Sequence, residues 1–413
     1  MNCRHCASPL HLPFLDLGAA PPSNAYLSAV MLQAPETWLP LRLMACSRCK
    51  LVQTEDFTRA DELFDAEYAY FSAFSSSWLA HAQRYVEDAI ARFGLSQNSK
   101  VVEVAANDGY LLQYVRQRQI PCLGIEPTAS TAQAARDKGI EIVEAFFGVT
   151  LAKSLWAQGH AADLMVANNV LAHVPDINDF VAGFTLLLKP QGVATFEFPH
   201  LLQMVQQHQF DTAYHEHYSY LSLTAATPIF ERVGLTIFDV EQLPTHGGSL
   251  RLFVQRADTG VQPVATRVDA LLACESAAGM QETHFYADMQ KNAERIKDDL
   301  LRFLIDAKRQ GLKVAAYGAA AKGNTLLNYA GVRPDLLPYV VDRNPAKQGK
   351  WMPGSRIPIV DETRLHAHRP DRILILPWNL RAEVMAQLAY VGQWGAQFVT
   401  AVPSLSVLEA LQQ

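Results

Sequence analysis

Two periods of apolar and polar residues divide the chain. Residues 78–93 carry a helical period. Short β-branched runs follow at Val101-Val102-Glu103-Val104, Cys122-Leu123-Gly124-Ile125, Asp163-Leu164-Met165-Val166 and Val193-Ala194-Thr195-Phe196, with helical stretches between them. Such alternation predicts a parallel sheet covered by helices on both faces. Residues 235–240 and 250–255 read as two further strands that complete it. Residues 265–309 read as helix, broken near Gly279, with Val268, Leu272, Phe285, Met289, Ile296 and Phe303 turned to a core. A second α/β set then begins, with strands over 314–317, 339–341 and 373–376 and helices near 325–329 and 382–390. Residues 1–65 show neither period. Pro9, Pro13, Pro21, Pro22, Pro35 and Pro40 exclude long helices there, so the segment reads as irregular and in need of a staple. The expected fold class is α/β, with two doubly wound halves behind a small stapled domain.

Composition narrows the function. A chain of 413 residues suits two or three domains, and 49% hydrophobic against 18% charged residues is enough to fill their cores. The net charge of −6 argues against nucleic-acid and membrane-surface partners, which call for a basic patch. There is no apolar run of eighteen residues, and no apolar stretch follows Met1-Asn2-Cys3-Arg4-His5-Cys6. The expectation is a cytoplasmic monomer with reduced thiols.

Four of the six cysteines form two knuckles, Cys3-x-x-Cys6 and Cys46-x-x-Cys49. Each knuckle lets two thiolates converge on one ion, and two give the four ligands of a closed tetrahedral zinc site. A closed site leaves no position for substrate, so the zinc is read as structural. His5, inside the first knuckle, is an alternative ligand. Cys122 and Cys274 stand in apolar surroundings and read as core residues.

The run 101–104 enters Ala105-Ala106-Asn107-Asp108-Gly109-Tyr110 and then a helix, the place where a nucleotide-binding sheet turns beneath its ligand. Glu103 ends the strand. About twenty residues on, Glu126 stands where such folds put the acid for ribose hydroxyls. Asn168 ends a later strand, and Leu188-Lys189-Pro190-Gln191-Gly192 turns into the next. Over residues 70–255 this order resembles class I S-adenosylmethionine-dependent methyltransferases. The resemblance implies S-adenosylmethionine as cofactor, held by Glu103, Asn107, Gly109, Glu126 and Asn168, with Phe146 flanking the adenine. Ala105 and Asn107 replace glycines usual in that family, which points to a subfamily.

Three clusters carry further chemistry: Glu67-Tyr68-Ala69-Tyr70-Phe71-Ser72, Tyr214-His215-Glu216-His217-Tyr218-Ser219-Tyr220 and His246-Gly247-Gly248-Ser249-Leu250-Arg251. The two histidines of the second are two residues apart rather than four, which excludes a zincin site. Taken in order, the knuckles, EVAANDG, HVPD, YHEHYSYLS, HGGSLR and YGAAAKGNTLLN resemble the sugar C-methyltransferases of deoxysugar biosynthesis, over essentially the whole chain. The resemblance implies a zinc-binding domain (1–65), a methyltransferase domain (66–260) and a helical linker with a Rossmann-like C-terminal domain (261–413). The implied substrate is a nucleotide-linked 4-keto-deoxyhexose, with dTDP the expected nucleotide and C3 the expected position. By the same match His217 is the base that removes the proton beside the ketone. Tyr214 and Glu216 orient it or bond the sugar. Tyr68 and His173 line the pocket. Tyr70, His246, Arg251, Lys322 and Asn324 hold substrate. If residues 214–217 are helical, Tyr214 shares a face with His217.

Tyr317-Gly318-Ala319-Ala320-Ala321-Lys322-Gly323-Asn324 follows a strand but fits neither the dinucleotide nor the P-loop glycine spacing. Its amides and Lys322 are expected to hold a pyrophosphate at the helix start, far from the reacting carbon. Asp342 ends the next strand, where a dehydrogenase places its ribose acid. Two rival readings therefore stand: an NAD-dependent sugar oxidoreductase, and a non-catalytic zinc-stapled binding protein.

Overall fold

The computed structural model describes residues 1–57 and 72–410. Tyr68 and Tyr70 lie outside them. Three sheets organise the chain. The largest has seven strands in the order Leu235–Leu243, Ser249–Arg256, Leu188–Pro199, Ala162–Asn168, Val101–Val104, Cys122–Ile125 and Ile142–Val143. The last five are parallel, and Ser249–Arg256 runs antiparallel to both neighbours. The chain order reverses beside Val101–Val104, which opens a crevice at the carboxyl ends of the central strands, where α/β sheets take their ligands. A second sheet repeats the plan in the order Ile359–Val360, Val340–Val341, Val314–Tyr317, Arg372–Ile375, Gln397–Thr400 and Ser406–Glu409, with the last strand antiparallel.

The third sheet corrects the reading of the first 65 residues as irregular. Leu12–Ala20, Leu39–Ala45 and Val52–Thr54 form an antiparallel sheet, closed by Ser219–Tyr220 from the cluster around His217. The prolines exclude helix but not this arrangement. Pro13 lies on the edge strand, beside a bulge, and Pro40 near the start of its strand, positions where a missing N–H costs no ladder bond. Buried Phe14, Leu15, Leu17, Leu41 and Leu43 give the sheet its apolar face.

That face does not end at a domain boundary. It joins one core with Met289, Ala293, Ile296, Leu300, Leu304 and Ala307 of helix Met289–Arg309, and with Leu326, Val340 and Leu374 of the C-terminal sheet. The helix stripe recurs every three or four residues. Gly279, at φ +89°, separates this helix from Thr266–Ala277. Cys274, expected in a core, is exposed on that preceding helix. No helix among the described residues is long and apolar enough to cross a membrane.

Candidate functional site

The four knuckle cysteines converge. Cys3 and Cys49 sulfurs are 3.5 Å apart, Cys6 and Cys46 sulfurs 3.6 Å, and all four lie within 4.8 Å of one another. A tetrahedron of sulfurs about 2.3 Å from zinc has edges of about 3.8 Å, so the donor set fits that ion. Each knuckle is closed by the same turn. Ala7 N–H donates to Cys3 O and Lys50 N–H to Cys46 O, both at 2.9 Å, and Ala7 and Lys50 both take left-handed φ values. His5 turns away to Asn178 Oδ1 at 2.8 Å and lies outside the cluster.

At the crevice of the seven-stranded sheet, Ala105, Asn107 and Gly109 all have positive φ, at 59°, 48° and 74°. The left-handed backbone that glycine adopts freely is thus kept by alanine and asparagine at a cost of about 1–2 kcal/mol each. At Gly109 a Cβ would add crowding to the same strained φ, meeting Ile140 Cδ1 at 2.5 Å and Ala135 Cβ at 3.2 Å. Glu126 fastens the loop. Its Oε2 accepts from Asn107 N–H and its Oε1 from Thr128 N–H, both at 2.9 Å, leaving lone pairs for a ligand. Burial pushes its pKa up against the pull of those amides. Glu103 is fully buried beneath, its pKa raised well above the usual carboxylate range by desolvation. Asn107 Oδ1 accepts from Ser72 N–H at 2.9 Å, so this side chain seats the incoming chain. Asn168 keeps both amide atoms buried with no partner among the described residues, and Phe146 is exposed. Trp78 stacks on Tyr110, at the end of this loop, and meets His246 edge-on.

The His217 segment is a turn, not a helix. His217 N–H donates to Tyr214 O at 2.9 Å, and the turn brings the two side chains together. Tyr214 Oη lies 2.7 Å from His217 Nε2. His217 Nδ1 lies 3.0 Å from Thr212 O, a carbonyl that only accepts, so Nδ1 carries the proton and Nε2 holds the lone pair. Burial, with His173 beside it, holds the His217 pKa well below the ordinary histidine value. The His173 ring stands 4.6 Å from that of His217, its Nδ1–H donates to Glu216 O at 2.8 Å, and burial brings its pKa down to about 4. Thr54 of the N-terminal sheet donates to His217 O.

Several expected roles change. Glu216 does not touch His217. Its Oε1 accepts from Asn24 N–H and Nδ2–H at 3.3 and 3.2 Å, and its Oε2 is buried without a partner among the described residues. His215, for which the sequence favours a structural reading, contacts Leu39 O and Pro40 O and belongs to the scaffold. Arg251 is spent on Glu197 at 2.6 Å and Glu241 at 3.3 Å, with its guanidinium over Tyr85, so it braces the sheet rather than facing a ligand. His246 Nε2 accepts from Asn169 Nδ2 at 3.1 Å. Asn324 donates to Ser23 O and leaves Oδ1 buried and open. Lys322 does not join the turn amides. Its ammonium reaches Asn379 Oδ1 at 2.8 Å and rests over the Trp378 ring at 4.5 Å. Asp342 binds Ala319 N–H and Asn344 N–H at 2.7 and 2.8 Å, repeating at the second sheet what Glu126 does at the first.

Sequence reasoning missed a strap that ties these parts together. Ser23 O binds Asn324, Asn24 holds Glu216, and Tyr26 Oη donates to Ala319 O. Pro21-Pro22 before it is the available signal, a stiff extended run that carries the chain across to its neighbours.

Residues 3–64 match a family model described as "Putative zinc binding domain", 78–240 one described as a methyltransferase domain, and 244–403 one described as a C-methyltransferase C-terminal domain. C-methyltransferase NovU of Streptomyces niveus is 32% identical over 411 residues, covering 99% of this chain and 97% of NovU. Among solved structures, magnesium protoporphyrin IX methyltransferase of Synechocystis is 15% identical over 44% of this chain and 81% of its own, with a TM-score of 0.33. A methyltransferase of Anabaena variabilis is 12% identical over 43% and 86%, with a TM-score of 0.36.

Proposed function

The chain belongs to the C-methyltransferase family, and from that premise we propose that it methylates C3 of a nucleotide-linked 4-keto-deoxyhexose in the cytoplasm, with S-adenosylmethionine as donor and dTDP as the nucleotide. The observation that carries the reading is the neutral, buried imidazole of His217, with Nδ1–H fixed on Thr212 O and the Nε2 lone pair against the Tyr214 hydroxyl.

A carbon beside a ketone gives up its proton only to a placed base, with the enolate oxygen stabilised. His217 Nε2 takes that proton, and Thr212 O steadies the imidazolium that forms. Tyr214 directs Nε2 and supplies a hydroxyl at the sugar. Glu216 Oε2, open and buried, accepts from a sugar hydroxyl. When bound, S-adenosylmethionine supplies an electrophilic methyl on a sulfonium. Asn168, with two orphaned amide atoms, and Glu126, with spare lone pairs on a fastened loop, would hold it.

Calorimetric titration should show binding of S-adenosylmethionine and none of NAD, and a panel of nucleotide-linked 4-keto sugars should yield one methylated product by mass spectrometry. Binding of NAD alone would return the oxidoreductase reading. Within this reading, Glu126→Ala should weaken S-adenosylmethionine by about 1–3 kcal/mol, the range for losing a charged acceptor, because it frees the Asn107 amide as well. Unchanged affinity in the same titration would remove Glu126 from the cofactor site.

A further inference from the structure

The C-terminal domain reaches into the catalytic centre of the middle domain. Helix Ala321–Tyr329 meets the loop that seats His217: Thr325 Oγ1 donates to Ala213 O at 2.7 Å, next to Thr212 and Tyr214. Lys322 is three residues earlier and so shares that helix face. Trp378, whose ring lies beneath the Lys322 ammonium, donates through Nε1 to buried Asp211 at 2.8 Å, in the same loop. Trp378 also packs so closely on Gly247 that a Cβ there would sit 2.4 Å from the ring. Lys322 therefore stands on Trp378, and that ring links it to Asp211 in the loop of His217 and to the His246-Gly247 turn.

Its ammonium spends one of three N–H donors, on Asn379, and forms no ion pair among the described residues. Burial brings its pKa down to about 8 against the pull of Asp211, and its charge in turn disfavours protonation of both His217 and His246. The burial that keeps His217 neutral also makes it a weak base, so most of the barrier must be lowered at the enolate oxygen.

We propose that Lys322 is a catalytic residue whose ammonium donates to the ketone oxygen of the sugar as that oxygen becomes an enolate. The C–H bond beside the ketone breaks and its proton goes to His217 Nε2. The bonding pair forms the C=C bond, the carbonyl π pair moves to oxygen, and the new negative charge faces Lys322. This rests on the function proposed above and replaces the expectation that Lys322 binds phosphate far from the reacting carbon.

The test is exchange of the α-proton with deuterated water, followed by NMR without methyl donor, in Lys322→Gln at saturating nucleotide sugar. Loss of an oxyanion donor costs about 100- to 1,000-fold, so exchange should slow by at least about 100-fold. The Michaelis constant should move by less than about threefold, since the interaction is made in the transition state. Wild-type exchange at saturation with a raised Michaelis constant would overturn the proposal in favour of phosphate binding. If Lys322→Gln does not fold, Lys322→Met, which keeps the stem over Trp378 and removes every donor, carries the same two readouts. Wild-type protein that exchanges no proton would instead overturn the proposed function, and this inference with it.

Discussion

His217→Asn should fold, bind both ligands and lose at least about 100-fold in turnover, the low end of what a missing general base costs. Asparagine can keep a donor toward Thr212 O but has no lone pair basic enough to take a carbon-bound proton. Exchange of the α-proton with deuterated water, measured without methyl donor, should fall in parallel. The pH dependence has a definite sign. An ordinary histidine loses its free base as pH falls through about 6.5. The folded pKa of His217 lies well below that, so the base form persists and exchange should stay level from about pH 7.5 to 6.5. A decline centred near the ordinary histidine value would show that the buried imidazole is not the titrating base. Exchange by His217→Asn at the wild-type rate would pass the role to Tyr214.

Cys46→Ser should cost more still, and in folding before catalysis. Pure protein is expected to carry one zinc per chain, measured by metal analysis without chelator. A complete structural zinc site contributes on the order of 10–16 kcal/mol in small domains, so losing even part of it with one thiolate rivals the roughly 5–15 kcal/mol that keep a whole domain folded. The damage should spread. Val52–Thr54, three residues beyond Cys49, pairs with Ser219–Tyr220, and Thr54 holds His217 O. The variant should therefore appear in the insoluble fraction, and any soluble remainder should lack both zinc and activity. Soluble, active Cys46→Ser without zinc would show that the sulfurs hold nothing the fold needs.

Local chemistry was the part most legible in the sequence. The knuckles close as their spacing requires, and the β-branched runs became the central strands. Tyr214 and His217 meet, although through a turn rather than a helix. What escaped depends on contacts between elements that the local pattern does not connect. No local period announces that Ser219–Tyr220 completes the N-terminal sheet, or that Trp378 reaches Asp211. Prolines at 13 and 40 hide two strands because a cluster of prolines breaks long helices but forbids strand only away from edges and ends. Lys322 was assigned to phosphate from its place at a helix start, whereas its partners come from Asn379 and Trp378. Arg251 looked available because the acids that occupy it, Glu197 and Glu241, sit on neighbouring strands.

The central claim is transfer of a methyl group to carbon. The measurement that addresses it most directly uses S-adenosylmethionine with a deuterated methyl group and a dTDP-linked 4-keto-6-deoxyhexose, with the product examined by mass spectrometry and carbon NMR. A deuterated methyl bonded to the ring carbon beside the ketone is expected, with one ring proton lost. A methyl found on oxygen, or a sugar that returns unmethylated while NAD is consumed, would contradict it.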